Sequence, residues 1–177
     1  MKKIIAFGAI NSKTSINKQF AAWAANQIDN IELQVLDLND FEMPIYSMER
    51  EMEIGIPQLA KDFKQLINDS DSVVISFAEH NGSYSTAFKN IFDWISRLGK
   101  PIWSDKSMFL LATSPGPRGG MMVLENATRS FPYQGGKVSA SSSLGSFGQN
   151  FSTNEGITSE DKLAHFNIEL EKFSTSL

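Results

Sequence analysis

There is no cysteine among the 177 residues. Disulfide frameworks, thiolate zinc sites and thiol nucleophiles are excluded together. The absence fits a reducing compartment, and a cytoplasmic location is expected. Long apolar runs are also missing. The start, Met1-Lys2-Lys3-Ile4-Ile5-Ala6-Phe7, opens like a signal peptide. Its apolar run stops at Gly8 after about four residues, against roughly 7–15 in a signal-peptide core. Nothing approaches the ~18 apolar residues of a membrane helix, so no membrane role is expected. Basic charge is scarce: 16 Lys and Arg face 20 Asp and Glu, for a net charge of −4. With no basic block, a phosphate-neutralising face for nucleic acid is not expected. The two histidines, His80 and His165, have neither metal-ligand spacing nor a serine–histidine–acid arrangement around them. Walker and GxGxxG phosphate loops are absent as well.

What remains is an ordinary globular composition, 41% hydrophobic and 20% charged, on a length that suits one domain over residues 1–177. Short apolar runs alternate with helical patterns. Ile4-Ile5-Ala6-Phe7 reads as a buried parallel strand ending at Gly8. A helix begins near Ser15, a plausible N-cap, with Ile16, Phe20, Trp23 or Ala24, and Ile28 on one face, and ends at Asn30. Residues 31–38 alternate apolar and polar before becoming continuous, as in an edge strand. Residues 39–57, with Pro44, read as a long irregular connection, which is usually functional or mobile. Leu59, Phe63, Leu66 and Ile67 mark a second helix.

Residues 72–77 form a third strand, followed by a helix carrying Phe88, Ile91, Phe92, Ile95 and Leu98. Residues 107–113 form a fourth strand, followed by a helix that Pro132 stops. Residues 137–144 are a weak, edge-like fifth strand, and 145–156 read as a polar loop. The last helix carries Leu163, Phe166, Leu170, Phe173 and Leu177 at spacings of three and four, with Ser159 expected to cap it. Alternation of this kind implies an α/β doubly wound sandwich: a five-stranded parallel sheet with helices on both faces, joined by right-handed crossovers.

Three loops then sit at strand carboxyl ends, where open α/β sheets bind ligands. The first, residues 8–17, runs into a helix N-terminus, whose free amides and dipole suit an anion. Hydroxyls of Ser12, Thr14 and Ser15 and the amide of Asn17 are neutral donors for a terminal phosphate monoester; the alternative is a hydroxyl-rich turn that only caps the helix. The second, residues 78–84, holds Asn81-Gly82, a pair that permits positive φ and close backbone approach to a flat ligand. Glu79 and His80 are its chemically suggestive side chains, each more often solvated than catalytic. The third, residues 114–120, has glycines at 116, 119 and 120; its Arg118 either binds a phosphate or faces water. Tyr84, Trp94 and Trp103 are candidates for ring stacking, Trp94 the more readily explained by packing or a subunit contact.

Taken together, Asn81-Gly82-Ser83, Lys89-Asn90 and Asp93-Trp94 resemble the signature of the NADPH-dependent FMN reductase family, which includes chromate and quinone reductases and some azoreductases. Ser15-x-Asn17 resembles its phosphate loop, and Ser114-x-Gly116-x-x-Gly119-Gly120 its third motif. The chain departs from the family with Asn11 and Lys13 near a frequent arginine, and with Ala78 and His80 at a frequent proline and tyrosine. The resemblance implies a flavodoxin-like fold, bound FMN, NADPH or NADH as co-substrate, and a homodimer or tetramer. Carried over by position, Ser12, Thr14, Ser15, Ile16 and Asn17 hold the phosphate. Ala78, Glu79, His80, Asn81, Gly82 and Ser83 line the isoalloxazine ring, and Ser114 and Gly116 flank its other edge.

The implied reaction takes hydride from NAD(P)H to FMN N5, then passes electrons to a small-molecule acceptor: a quinone, azo compound, metal oxyanion or free flavin. The cofactor carries the chemistry, so no catalytic side chain is required. A non-enzymatic flavodoxin-like electron carrier is the alternative, although such carriers are typically more acidic. A module acting through protein contacts after losing its flavin is a third reading.

Overall fold

A computed structural model describes all 177 residues. In chain order the elements are β1 (Lys2–Ala9), α1 (Ile16–Ala25), β2 (Ile31–Leu36), α2 (Met48–Ile54), α3 (Gln58–Asp69), β3 (Ser72–Phe77) and α4 (Thr86–Ile95). β4 (Ser107–Thr113), α5 (Met121–Ser130), β5 (Lys137–Leu144), the single turn α6 (Phe147–Asn150), the short pair β6 (Phe151–Ser152) and β7 (Gly156–Ile157), and α7 (Glu160–Ser174) complete the chain. The main sheet has the order β2-β1-β3-β4-β5 and every neighbouring pair is parallel. This is the flavodoxin-like order, with its switch point between β1 and β3. The weakly apolar β2 and β5 are the two edges, as their patterns imply.

Side chains of a strand alternate between the faces of a sheet, and the core divides accordingly. Ile5, Phe7, Val73, Ile75, Phe77, Met108 and Leu110 pack under α3, α4 and α5 with Phe63, Phe88, Trp94 and Phe131. Ile4, Ala6, Val74, Phe109 and Leu111 face the other way, against Phe20 of α1 and Phe166 and Phe173 of α7. β3 is buried along its whole length, which places its carboxyl end, and the loop after it, at the centre of the rim.

Several local expectations need correction. α1 ends at Ala25; Ile28 is buried just beyond it, and Asn30 takes a positive φ of 57° in the turn before β2. The 39–57 connection is not irregular throughout. It holds a 3-10 turn at Leu38–Phe41 and α2, which Ser47 caps by accepting from the Arg50 N–H and Gly55 ends at φ 72°. α2 buries no residue, so it has no core-facing stripe to show as a period. Residues 145–156 likewise contain α6 and the β6–β7 pair. Ser159 stands at the N-cap of α7 without a side-chain bond. Trp103 and Tyr84 are not free for ring stacking: each packs on Phe131, Trp103 at 4.5 Å and Tyr84 at 6.4 Å between centroids. Trp94 is fully buried. No helix is long and apolar enough to cross a membrane.

Candidate functional site

The loop after β1 enters α1 at very short range. A Cβ on Gly8 would stand 2.8 Å from the Lys18 Cα and 2.9 Å from the Asn17 carbonyl carbon, so glycine is what lets the helix start against the strand. Ser15 caps α1, its Oγ accepting from the Lys18 N–H at 3.0 Å. The backbone N–H groups of residues 11–15 find no acceptor in the chain, and those of Ile16 and Asn17 are first-turn donors left over by the helix itself. Ser12 and Thr14 are exposed beside them. Asn17 differs from the other residues of this loop. Buried, its Oδ1 accepts from Ser76 Oγ at 2.8 Å and from the Thr113 N–H at 3.2 Å, while its Nδ2 donates to the Thr113 carbonyl at 3.2 Å. Its side chain therefore ties α1 to β3 and β4, and only its main-chain N–H points out of the helix end. Nearby, Lys18 Nζ pairs with Asp37 Oδ2 at 2.6 Å. The hydrogen bond from Lys18, helped by the Asn39 N–H, holds the Asp37 carboxyl at about 2.

After β3 the chain makes a two-residue hairpin. His80 and Ser83 exchange both main-chain hydrogen bonds, at 2.9 and 3.0 Å. Asn81 and Gly82 between them have φ of 51° and 75°, the double positive φ of a type I′ turn. The N–H groups of Asn81 and Gly82 have no partner in the chain. Ala78 is buried, while His80 and Ser83 are exposed. Glu79 is half-buried and not free: its Oε2 accepts from the Met122 and Val123 N–H groups at the start of α5. Ser85, which caps α4, donates to the Ala9 carbonyl at 2.7 Å and so fixes this loop to the first.

After β4, Ser114 Oγ donates to the Gly116 carbonyl, and the two residues accept from the Phe147 and Ser146 N–H groups, at 3.1 and 2.8 Å. A Cβ on Gly119 would stand 2.7 Å from the Gly145 nitrogen, so the third loop lies flat on the chain leaving β5. Arg118 faces solvent. All three predicted loops thus meet on one rim, joined by Asn17, Glu79 and Ser85.

Sequence reasoning missed the wall that completes the site. A cleft of about 350 Å³ opens between the first two loops, and its far side is the 38–45 segment. Asn11 and His80 stand at its mouth, Thr86, Ala87, Asn90 and Ile91 of α4 form its floor, and Leu38, Phe41, Met43 and Ile45 give an apolar flank. Its charged or titratable lining side chains are Glu42 and His80, with no lysine or arginine among them. The length of the 39–57 connection and the Asn90 of the signature were the sequence signals for this region.

The order of strands and the single rim of donor-rich loops define a flavodoxin-like α/β protein. The chain belongs to the NADPH-dependent FMN reductase family, whose profile matches residues 2–149; FMN and NAD(P)H are the cofactor and co-substrate of this oxidoreductase family. It is 31% identical over 121 residues to a 2-hydroxy-1,4-benzoquinone reductase from a Burkholderia species, covering 67% of this chain and 63% of that one. It is 28% identical over 158 residues to an uncharacterized protein of Mycoplasma pneumoniae, covering 86% of this chain and 93% of that one. Among solved structures, FerB, a flavoenzyme NAD(P)H:acceptor oxidoreductase from Paracoccus denitrificans, superposes with a TM-score of 0.77 at 20% identity, over 99% of this chain and 96% of that one. An azoreductase from Bacillus anthracis in complex with FMN superposes at 0.61 and 13% identity, over 99% of each chain.

Proposed function

We propose that residues 1–177 form a single FMN-binding domain that oxidises NAD(P)H and reduces a small organic acceptor, with quinones the leading class. The observation that carries this reading is the run of unpartnered N–H groups over residues 11–17, set at a helix N-terminus on the same rim as the Asn81-Gly82 turn. The donor set fits FMN. The amides of residues 11–17 with the Ser12 and Thr14 hydroxyls suit a phosphate monoester, and the free N–H groups of the turn suit the polar edge of a flat ring. FMN held there would supply the redox chemistry, taking reducing equivalents from NAD(P)H and giving them to the acceptor.

The protein's part is to bind and orient. Asn17 holds the phosphate end by fixing α1 rather than by donating its side chain, while Ser15 caps α1 by accepting from Lys18 and keeps its O–H for the phosphate. Glu79 holds the hairpin against α5, Ala78 and Gly82 allow close approach, and Ser114 with Gly116 shapes the opposite edge. The fixed N–H dipoles of the turn favour negative charge on a reduced ring without reorganising. Absence of lysine and arginine from the cleft lining favours neutral acceptors over metal oxyanions. Assembly into a dimer or tetramer belongs to this reading; Met48, Met52 and Ile54 of α2 are exposed in the single chain, and light scattering on the purified protein tests it.

The deciding experiment is the absorbance spectrum of the purified protein, then anaerobic titration with NADH and NADPH. A flavin spectrum bleached by either nucleotide, and restored by a quinone, is expected. Colourless protein that takes up no FMN on reconstitution overturns the reading. Bound flavin that neither nucleotide reduces makes the protein an electron carrier instead.

A further inference from the structure

The Lys89-Asn90 and Asp93-Trp94 part of the signature makes no side-chain hydrogen bond to the three loops, and the functional reading leaves it unexplained. Its place in the structure is specific. The segment from Met43 to Tyr46 forms a wall of the cleft yet belongs to no helix or strand. It is hung on α4. Asn90 Nδ2 donates to the Met43 and Pro44 carbonyls at 3.0 and 3.2 Å, and Asn90 Oδ1 accepts from the Tyr46 N–H at 2.9 Å. Trp94 Nε1 donates to the same Pro44 carbonyl at 2.7 Å, and its ring meets Tyr46 edge-on at 5.0 Å. One amide side chain thus satisfies three main-chain groups of a strap 44–47 residues away, in part-buried to exposed positions. Asn90 also lines the cleft beside Ala87 and Ile91, so the residue that holds the wall is part of the floor.

We infer that Asn90 is a positioning residue that sets the distance between the 43–46 wall and the α4 floor, and through it the size of acceptor the cleft takes. The inference rests on the proposed function for its substrate, but not for its geometry. Neither Asn90 nor Trp94 lies in the loops assigned to FMN, so releasing the strap leaves flavin loading intact. It widens the cleft, weakens the hold on a one-ring acceptor and relieves the limit on a larger one.

The test is Asn90→Ala in the flavin-loaded protein, with 1,4-benzoquinone and menadione as acceptors. The expected result is a KM for benzoquinone raised about 5-fold or more, with the KM ratio of the two quinones shifted toward menadione and the flavin content of the purified protein unchanged. Hydrogen exchange at the Tyr46 amide should accelerate about 10-fold or more while the amides of α4 stay protected. Asn90→Asp keeps the acceptor for Tyr46 but turns a carboxylate toward two carbonyls, and should not rescue. If Asn90→Ala does not fold, Trp94→Phe removes the bond to Pro44 and trims the ring that meets Tyr46, and should move the quinone ratio in the same direction by less. Equal changes for both quinones, or faster Tyr46 exchange with an unmoved ratio, overturn the inference and leave the proposed function standing. Wild-type protein that reduces neither quinone overturns both, and shows it before any variant is made.

Discussion

Glu79 Oε2 accepts from the Met122 N–H at 3.0 Å and from the Val123 N–H at 3.2 Å. The residue that caps α5 is therefore in the loop after β3, because the position before that helix is Gly120, which has no side chain and takes a left-handed conformation. The carboxylate meets two of the donors a helix N-terminus leaves over and lies at the positive end of its dipole. The bond also locks the Asn81-Gly82 turn to the third loop, so one side chain does for two loops what a longer contact surface would otherwise do.

Replacing Glu79 separates capping from catalysis. Glu79→Gln keeps an acceptor oxygen in place, and should retain bound flavin with kcat/KM within about 3-fold of wild type. Glu79→Ala leaves both N–H groups without their acceptor and should lower unfolding stability by about 1–2 kcal/mol, measured by urea titration. Loss of nucleotide-driven reduction in Glu79→Gln with flavin still bound would make Glu79 a proton-transfer group and contradict this assignment.

Gly82 is the second position where the loop after β3 is demanding. Its φ is 75°, and a Cβ there would stand 3.2 Å from Met122 Cε. A β-branched residue in this conformation is strained by at least about 1–2 kcal/mol, and its branch would point into the space beside Met122. Gly82→Val should purify colourless yet folded by circular dichroism, and Gly82→Ala should load flavin about 10-fold more weakly than wild type. A yellow Gly82→Val protein with wild-type affinity would show that this turn does not contact the ring.

These two residues also show what was legible before the structure. The strands were, because buried parallel strands are continuous apolar runs and edge strands are not; β3 and β5 are the extremes. Asn81-Gly82 was, because few dipeptides take two positive φ values. α2 was not, since a helix that buries nothing prints no apolar period. Glu79 and Asn90 were misread or passed over for a different reason. Their partners lie 43 residues or more along the chain, and local pattern carries no information about which main-chain groups a fold will bring within 3 Å. Asn17 was read as a donor through its side chain: spacing marked the position, whereas only burial reveals that the amide turns inward.

That inward turn makes a distinct prediction. Asn17→Ala removes one side chain and leaves Ser76 Oγ and both main-chain groups of Thr113 without partners in the interior. The apoprotein should lose about 3 kcal/mol or more of unfolding stability, seen as a lower urea midpoint with no flavin present. If Asn17 were instead a phosphate ligand through its side chain, the apoprotein would be unaffected and only FMN affinity would fall.

The last prediction concerns pH. Asp37 has its carboxyl lowered from 3.8 to about 2, chiefly by the hydrogen bond from Lys18 and then by the Asn39 N–H. A carboxylate lowered in the folded state binds its proton more readily when unfolded, so its contribution is full above about pH 4 and is lost as pH falls toward 2. The pair joins α1 to the end of β2, next to the loop assigned to the phosphate. Because both side chains are about a third exposed, solvent screening limits the effect to about 1 kcal/mol or less. Asp37→Asn should therefore be less stable than wild type at pH 7 by that amount, and the two proteins should converge between pH 4 and pH 2 in urea titrations at low salt. Added salt at pH 7 should narrow the gap in the same way, because the pair sits within reach of counter-ions. A gap that is constant from pH 7 down to pH 2 would assign the effect to the hydrogen bonds with Asn39, which an asparagine side chain can make only in part, rather than to the charge shared with Lys18.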